Sequence, residues 1–339
     1  MNQSTVHQES FNQADCDWIT ANSRPESIAA GRSLLTAGER SAALYWVVSG
    51  KFVASIETAA GPQVLTPLEP GSGIGLLALI LDRPALTSVS AIVPSEVVAI
   101  SQERFKAQLK QDRAFAARFY KAAAIQFSQE LRNLSGLLVQ NQSTASPPLR
   151  KVLLVFSELY DSDVNWMHEV GERFSPTRGT VLIQQGIEAD AIHILLQGTL
   201  SVSIAIDRNG VKTHKEVARL AVGDIVGEMS FIDVQPPSAT VTVLENSLVL
   251  ALPRVQLNTK LEQDAAFATR FYRAIALTLA DRLADRLGSF SNQRLAYNQA
   301  TPLENEAEYE DELDTDQLQS AALASVRFDW LLQQVRRGP

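Results

Sequence analysis

The chain is poor in cysteine, since Cys16 is the only one among 339 residues. A single cysteine excludes an internal disulfide and a cysteine-rich zinc site. The sequence also has no run of the ~18–20 consecutive apolar residues that a transmembrane helix needs. Its first residues lack the basic and apolar regions of a secretory signal. We therefore expect a cytoplasmic protein that is not inserted into a membrane.

An excess of basic residues is also missing. The chain has 30 basic and 38 acidic residues. Eight of the acids lie within residues 304–316, which contain no base, so the remainder has 30 acids (38 − 8) against 30 bases. A neutral body of this kind does not provide the basic surface that nucleic acids require. We expect no direct DNA binding.

The sequence has few residues suited to catalysis. Its histidines are scattered, and none has the spacing of a metal site or of a base beside a nucleophile: His7, His168, His193 and His214. His193 stands between two isoleucines in a strand-like run, where a half-exposed position is expected rather than a ligand. We expect no metal site and no enzymatic activity.

The chain does contain a repeat. Residues 111–124 (QDRAFAARFYKAAA) recur at 263–276 (QDAAFATRFYRAIA), 152 positions later (263 − 111). Upstream, Gly50 recurs as Gly198, 148 positions later (198 − 50). A surface hairpin tolerates the difference of four residues. The sequence therefore predicts two copies of one domain.

Composition divides the chain further. We predict a disordered N-terminus over residues 1–17, domains over 18–138 and 149–292, a linker over 139–148 and a tail over 293–339. The linker is polar and ends in two prolines. The tail starts with the acidic segment and ends in a sequence with the apolar spacing of a helix.

Each copy combines strand patterns with a long helix pattern. Residues 44–56 and 192–204 are β-rich runs, each broken by a glycine. Residues 112–138 and 265–292 have apolar positions every three or four residues, which predicts helices that pack on other helices. These seams consist of Tyr120, Ala124, Phe127, Leu131, Leu134 and Leu138, and of Tyr272, Ala276, Leu279, Leu283, Leu287 and Phe290. They can satisfy each other within one chain or form a homo-dimer.

A glycine-rich segment lies between the strand patterns of each copy, at residues 71–89 and 223–241. With the earlier Val48-Ser49-Gly50, this arrangement resembles the cyclic nucleotide-binding domain family, which includes catabolite activator proteins and the regulatory subunits of protein kinase A. The resemblance covers about two thirds of the chain. It implies a mainly β fold with α-helices, consisting of two tandem β-rolls (jelly-roll-like), each followed by a long helix.

The resemblance also implies a phosphate-binding cassette. In the family, backbone N–H groups and an arginine hold the cyclic phosphate, and a glutamate accepts from the ribose hydroxyl. In copy two, Pro237 stands at the arginine position. The candidate ligand-binding residues of copy two are Gly227 and Glu228, which match the Gly-Glu pair, and Ser238, Ala239 and Thr240, which match the closing run.

Copy one departs further from the family pattern, with Leu76 at the glutamate position and Ala85 at the arginine position. Its candidate ligand-binding residues are Gly75, Arg83, Thr87 and Ser88, of which Arg83 could substitute for the missing arginine. Loss of a charge partner costs ~2–5 kcal/mol of binding free energy. We therefore expect no bound cofactor, with a cyclic nucleotide in copy two through Glu228 as the exception. In the other interpretation, Glu228 bonds only the backbone of its own turn.

The terminal helix pattern offers a candidate partner-binding stripe, formed by Val326, Trp330 and Leu331. Such a stripe docks either in a groove of another protein or on the chain's own body. We expect a non-enzymatic regulatory or scaffolding protein that binds another protein. One alternative is a true cyclic-nucleotide receptor that binds in copy two. Another is a structural accessory of a larger assembly, docked by its C-terminal helix.

Overall fold

The computed structural model of the protein describes residues 10–58, 61–138, 152–208, 211–290 and 315–337. The predicted linker over 139–148 and most of the acidic segment lie outside these described residues. The chain divides into two units. The first comprises residues 1–135 and 279–300, and the second comprises residues 136–278 and 301–339.

The described strands of the first unit form two antiparallel four-stranded sheets, ordered β1-β8-β3-β6 and β2-β7-β4-β5. The strands are β1 (Arg24–Ile28), β2 (Ser33–Leu35), β3 (Ala43–Ser49), β4 (Phe52–Thr58), β5 (Gly61–Leu68), β6 (Gly73–Ile74), β7 (Ser88–Ala91) and β8 (Ser95–Ser101). Val47, Phe52 and Val97 are fully buried in their common core. The predicted β-roll is therefore confirmed for the first copy.

Gly50 separates β3 from β4 as the sequence predicts. Its φ is 88°, a left-handed conformation that favours glycine. A Cβ at this position would collide with the side chain of Ser95. The Ser95 hydroxyl accepts a hydrogen bond from the N–H of Lys51 at 3.1 Å and donates to the carbonyl of Val93 at 2.8 Å. Gly198 and Ser247 repeat this close approach in the second unit.

The helices that begin in the first unit are α1 (Gln13–Asn22), α2 (Leu76–Leu81), α3 (Gln102–Gln111) and α4 (Arg113–Leu138). Helix α1 includes residues 13–17, so the predicted disordered N-terminus is wrong for that part. The Asp15 carboxylate caps the helix by accepting from the N–H of Asn12 at 3.0 Å, and it forms an ion pair with Arg118. These two interactions explain why a polar segment folds.

The described strands of the second unit repeat the arrangement in sheets ordered β14-β11-β16-β9 and β10-β15-β12-β13. The strands are β9 (Glu172–Phe174), β10 (Val181–Ile183), β11 (Ala191–Gln197), β12 (Leu200–Arg208), β13 (Val211–Leu220), β14 (Ile225–Val226), β15 (Thr240–Val243) and β16 (Leu248–Pro253). Leu195, Leu200 and Val249 are buried between the sheets. The second copy is therefore also a β-roll.

The remaining described helices are α5 (Val152–Glu158), α6 (Asp161–Val170), α7 (Glu228–Asp233), α8 (Arg254–Gln263), α9 (Ala265–Phe290) and α10 (Thr315–Arg337). Helix α9 is continuous over 26 residues, and the unit boundary falls between its residues 278 and 279. The predicted long helices correspond to α4 and α9. No described helix is both long enough and apolar enough to cross a membrane.

The predicted helical seams are buried within a single chain. Their described buried members are Ala124, Phe127, Leu131, Leu134, Ala276, Leu279, Leu283 and Leu287. Since these side chains already lie in the interior, the interpretation in which the seams are satisfied within one chain is favoured over a homo-dimer formed through them.

Candidate ligand-binding sites

The cassette of the second unit begins with a glycine turn. Gly227 has a φ of 87° and precedes α7. A Cβ at this position would lie 3.1 Å from the carbonyl oxygen of Ala191 and 3.3 Å from Cδ1 of Ile183. Both the positive φ and the close approach require glycine. Gly75 precedes α2 in the first unit with a φ of 93°.

Glu228 is the first residue of α7 and is 2% exposed. It interacts with other groups of the folded chain. Its counterpart Leu76 is 5% exposed. The two cassettes therefore differ at this position by a buried carboxyl group in the second unit and a buried apolar side chain in the first.

In each unit, the residue at the family's arginine position is hydrogen-bonded to the turn before the third strand of that β-roll. In the second unit, the carbonyl of buried Pro237 accepts from the N–H of Gly186 at 2.9 Å. In the first, Ala85 accepts from Gly38 at 2.8 Å and donates to Glu39 at 2.9 Å. Both residues therefore act through their backbones, and neither brings a cation to the cassette.

The closing run of the second cassette is half-buried and is fixed in part by the neighbouring turn. Ser238, Ala239 and Thr240 are all partly exposed. The Thr240 hydroxyl accepts from the N–H of Gln185 at 3.1 Å, and the Gln185 side chain accepts from the N–H of Ala205 at 2.7 Å. The Thr240 hydroxyl oxygen therefore already accepts a hydrogen bond within the protein.

Arg254, which the sequence analysis missed, holds the cassette helix of the second unit. Its guanidinium donates to the carbonyls of Ser230 at 3.0 Å and Ala189 at 3.1 Å. It also lies over the ring of Phe231, 5.5 Å from the ring centroid. This cation is thus engaged by groups of the protein itself. Arg254 is the first residue of α8 and lies outside the cassette at residues 223–241. A sequence search for an arginine within the cassette therefore does not find it.

Both cassette helices end in a residue with positive φ that is not glycine. These residues are Asp82, with a φ of 48°, and Val234, with a φ of 53°. Aspartate tolerates this conformation, whereas a β-branched valine does not. Val234 is also 76% exposed, so packing does not offset the strain. The second cassette is therefore locally strained.

The first unit contains a cavity of about 60 Å³ that is partly open to solvent. Its walls include the cassette residues Gly75 to Ala78 and Ala85 to Thr87, with side chains of α4 and of the end of α9. Of the candidate residues, Gly75 and Thr87 line this cavity, whereas Arg83 and Ser88 are not among its lining residues. The Ser88 hydroxyl accepts from the N–H of Ala37 at 3.1 Å.

Arg83, the candidate substitute for the missing phosphate-binding arginine, is not among the residues that line this cavity. Its Nε and Nη2 are buried and have no hydrogen-bond partner among the described residues. Burial lowers the pKa of Arg83, and the carboxylates of Asp281 and Asp285 oppose that shift. These two aspartates lie in the part of α9 that belongs to the first unit. The Arg83 charge is therefore influenced by α9 and is not presented to the cavity.

Gln126 and Glu130 of α4 are lining residues that sequence analysis missed. The Gln126 side chain accepts from the N–H of Gly73 at 3.0 Å and donates to its carbonyl at 2.9 Å. It also donates to Glu130 at 2.9 Å. Both polar residues interrupt the apolar seam at a spacing of four, which is the signal that could have identified them.

The matches to known proteins agree with this geometry. Residues 25–112 and 174–264 each match the family model described as a cyclic nucleotide-binding domain. Together the matches span more than half of the chain. The chain belongs to the cyclic nucleotide-binding domain family. We call the two copies the first and second cyclic nucleotide-binding domains.

Several solved structures resemble this tandem of cyclic nucleotide-binding domains. The regulatory domain of Toxoplasma gondii PKA with cAMP is 18% identical, with a TM-score of 0.31, over 83% of this chain and 92% of that chain. The regulatory subunit of a cAMP-independent protein kinase A from Trypanosoma cruzi, bound to guanosine, is 16% identical, with a TM-score of 0.29, over 76% and 84%. These values do not carry a ligand or partner over to this chain. Curated proteins give no match.

A further solved structure resembles a smaller part of the chain. A cyclic nucleotide-binding-like protein from Brucella abortus is 29% identical, with a TM-score of 0.27, over 30% of this chain and 88% of that chain.

The structure also bears on the metal-ligand pattern and on His193. The described residues hold no cluster of histidine, cysteine, aspartate and glutamate that could bind a metal ion. His193 is partly buried in β11, and its Nδ1 has no hydrogen-bond partner among the described residues. Burial lowers the pKa of His193. This matches the half-exposed strand position that the sequence predicts.

The terminal helix α10 docks on α5 and α6 of the second unit. Of the predicted partner-binding residues, Leu331 is fully buried there and is not on the outward face. Phe328 meets Phe156 with ring centroids 5.3 Å apart. Val326 and Trp330 remain 65% and 36% exposed. The Trp330 ring also meets the ring of His168 on α6, with centroids 6.0 Å apart. The helix therefore packs one face on its own chain, and Trp330 lies at the edge of the outward face.

Proposed function

We propose that the chain is a non-enzymatic regulatory or scaffolding protein in which ordinary cyclic AMP binding is lost and which acts by contacting another protein. The observation that carries the proposal is the residue at each arginine position. Pro237 and Ala85 supply backbone groups to a neighbouring turn and no positive charge. Proline also removes an N–H from a loop whose N–H groups bind the phosphate.

The missing positive charge supports the proposal because its expected effect on affinity is large. Removing a hydrogen-bonded charge partner from a desolvated site costs ~2–5 kcal/mol of binding free energy. That corresponds to a loss of roughly 30-fold to several thousand-fold in affinity. In the second domain, Arg254 is held by two carbonyls and does not replace the missing charge.

The outward face of α10 supports a protein partner. Leu323, Val326 and Trp330 follow at spacings of three and four, and are 51%, 65% and 36% exposed. They form an apolar stripe on one side of the helix. A groove of another protein is the environment that such a stripe fits. This proposal keeps α10 in place on its own domain through Leu331 and uses its opposite face.

The first test is a thermal-shift titration of the full chain with cyclic AMP, cyclic GMP and cyclic dinucleotides to millimolar concentration. A ligand at 100 times its dissociation constant adds ~2.7 kcal/mol, which raises the Tm of domains of this size by roughly 2–4 °C or more. We expect no shift. A reproducible rise with any of these nucleotides would overturn the proposed loss of binding.

A genuine receptor function in the second domain is the other candidate, and the buried Gly227-Glu228 turn favours it. In that case a nucleotide stabilises the wild type, and Glu228→Gln removes the effect because the amide is a weaker acceptor for the ribose hydroxyl. Glu188→Gln is the matched control, since Glu188 is exposed in the same domain. An equal shift in both variants contradicts binding through Glu228.

The partner surface is tested by affinity capture with the wild type and with a Val326→Ser, Trp330→Ser double variant. We expect a partner held by the wild type to be lost from the variant. Ile187→Ser serves as control, because Ile187 is 55% exposed elsewhere in the second domain. If the double variant still retains the partner, or if the control variant loses it equally, the α10 stripe is not the partner-binding surface.

A further inference from the structure

The cavity of the first domain has a wall composition suited to an apolar ligand. Most of its lining is aliphatic or aromatic: Leu35, Ala54, Leu65, Leu68, Ile74, Leu76, Leu77, Ala78, Ala85, Leu86, Val89, Phe127, Leu134, Leu283 and Leu287. Glu130 is the one ionisable residue among all its lining residues. A carboxyl group thus lies at the wall of a largely apolar space.

Glu130 has spare capacity to accept hydrogen bonds. Its Oε1 accepts from the Gln126 side chain at 2.9 Å. Gln126 is itself fixed by two hydrogen bonds to Gly73. Within the described part of the chain, Glu130 has no other hydrogen-bond partner and no paired cation. A carboxylate offers about four acceptor sites, so most of those on Glu130 remain open.

Burial disfavours this carboxylate in its ionised form. It raises the pKa of Glu130 to about 7, and the hydrogen bond from Gln126 opposes the shift. A buried charge is stable when an opposite charge pairs with it. A cation in the cavity would therefore stabilise the ionised form of Glu130, whereas an anion would be repelled by it.

We propose that this cavity binds a short primary amine, with the ammonium group on Glu130 and the alkyl part against the leucine side chains. A water molecule needs about 10–15 Å³ of such space, so a cavity of about 60 Å³ has room for roughly four heavy atoms. Ethylamine, propylamine and butylamine bracket this size. The proposed ligand is opposite in charge to a cyclic nucleotide.

The inference rests on the proposed function only in requiring that the first domain does not hold a cyclic nucleotide. The titration of the full chain with amines is performed without nucleotide. Failure of amine binding therefore leaves the nucleotide result unaffected.

Calorimetric titration of the full chain with n-butylamine, n-propylamine and ethylamine hydrochlorides tests the proposal. Sodium chloride at equal ionic strength, n-butanol and sodium butyrate are the comparison solutes. We expect saturable binding of at least one amine and none of butyrate. Glu130→Gln should weaken amine binding at least tenfold and leave n-butanol binding unchanged. Glu103→Gln, at an exposed position on α3, should bind the amine as the wild type does.

A spectroscopic measurement covers the case in which Glu130→Gln does not fold. The side-chain carboxyl ¹³C signal of Glu130 in the wild type should move on addition of the amine that binds. No saturable binding of any of the three amines overturns the proposal. So does equal amine affinity in a folded Glu130→Gln variant, or a Glu130 signal that stays unchanged at saturation.

Discussion

Gln126 and Gly73 exchange two hydrogen bonds, at 3.0 and 2.9 Å, between a side-chain amide of the long helix and the backbone of the strand before the cassette. The pair is buried, and the residues are 53 positions apart in the chain. The helix after the first β-roll is thereby fixed to the segment that leads into the cassette. A shift of either element breaks both hydrogen bonds.

Replacing Gln126 should therefore destabilise the first domain strongly. Gln126→Ala leaves the N–H and the carbonyl of Gly73 without partners, which costs about 2–4 kcal/mol of unfolding free energy. Urea unfolding of the variant measures this loss. Gln129→Ala, at an exposed position of the same helix, is the matched control and should change stability little. Equal effects of the two substitutions would contradict the role of the Gly73 pair.

Glu130 should make stability depend on pH. Its pKa is about 7 when folded and 4.5 when unfolded, so between these values the folded state binds more protons. Stability therefore falls as pH rises through this window, by on the order of 2–3 kcal/mol. The wild type should lose stability relative to Glu130→Gln between pH 5 and pH 8 in urea unfolding. A constant difference across this range speaks against the raised pKa.

Relief of the backbone strain at Val234 should stabilise the second domain. Val234→Asn places a residue that tolerates positive φ there, and should raise the free energy of unfolding by about 1 kcal/mol. Val255→Asn is a close control, because Val255 is also 76% exposed but lies in a helix. Thermal unfolding compares the two variants. If Val234→Asn is no more stable than Val255→Asn, the strain at this position is absent.

Asp163 and Arg270 form a buried ion pair that attaches α6 to α9. The carboxylate accepts from the guanidinium at 2.6 and 2.7 Å, and its side chain is 3% exposed. Asp163→Asn should cost about 2–4 kcal/mol, because it leaves Arg270 unpaired in a largely buried position. The same change at Asp190, which is exposed in the same unit, should cost less than about 1 kcal/mol. Chemical unfolding of both variants decides whether burial sets the difference.

Helix α10 packs on α5 and α6 through one face only. A leucine-to-alanine substitution should therefore affect stability more on that face than on the other. Leu331→Ala removes a fully buried side chain and should cost about 2–4 kcal/mol of unfolding free energy. Leu323→Ala, at a 51% exposed position, should stay within about 0.5 kcal/mol of the wild type. Thermal unfolding of both variants is the measurement. A neutral Leu331→Ala would show that α10 does not depend on this contact.

The sequence predicted those elements whose signals are local. The breaks at Gly50 and Gly198 follow from glycine between β-rich runs, and the long helices follow from apolar spacing. The glycine of each cassette was found through the resemblance to the family's Gly-Glu pair, and its positive φ explains why glycine is needed there. The duplication strengthened each of these predictions, since every pattern occurred twice.

Features that depend on distant partners escaped the sequence analysis. Helix α1 was missed because Asp15 is stabilised by Arg118, 103 positions away. The role of Glu130 depends on which walls surround it, and helix periodicity does not contain that information. The stripe of α10 looks the same whether the helix docks in cis or in trans. Burial of Leu331 and exposure of Val326 separate its two faces only once the fold is known.

The division of α9 between the two units has a consequence for synthesis of the chain. The first unit needs residues from 279 onward, although its other part ends at residue 135. At about 5–20 residues per second, the ribosome adds the intervening residues in roughly 7–30 s. During that interval the N-terminal part lacks Leu283 and Leu287. The domain that emerges first is therefore completed only after most of its neighbour has been made, and the neighbour in turn is completed by the residues after 300.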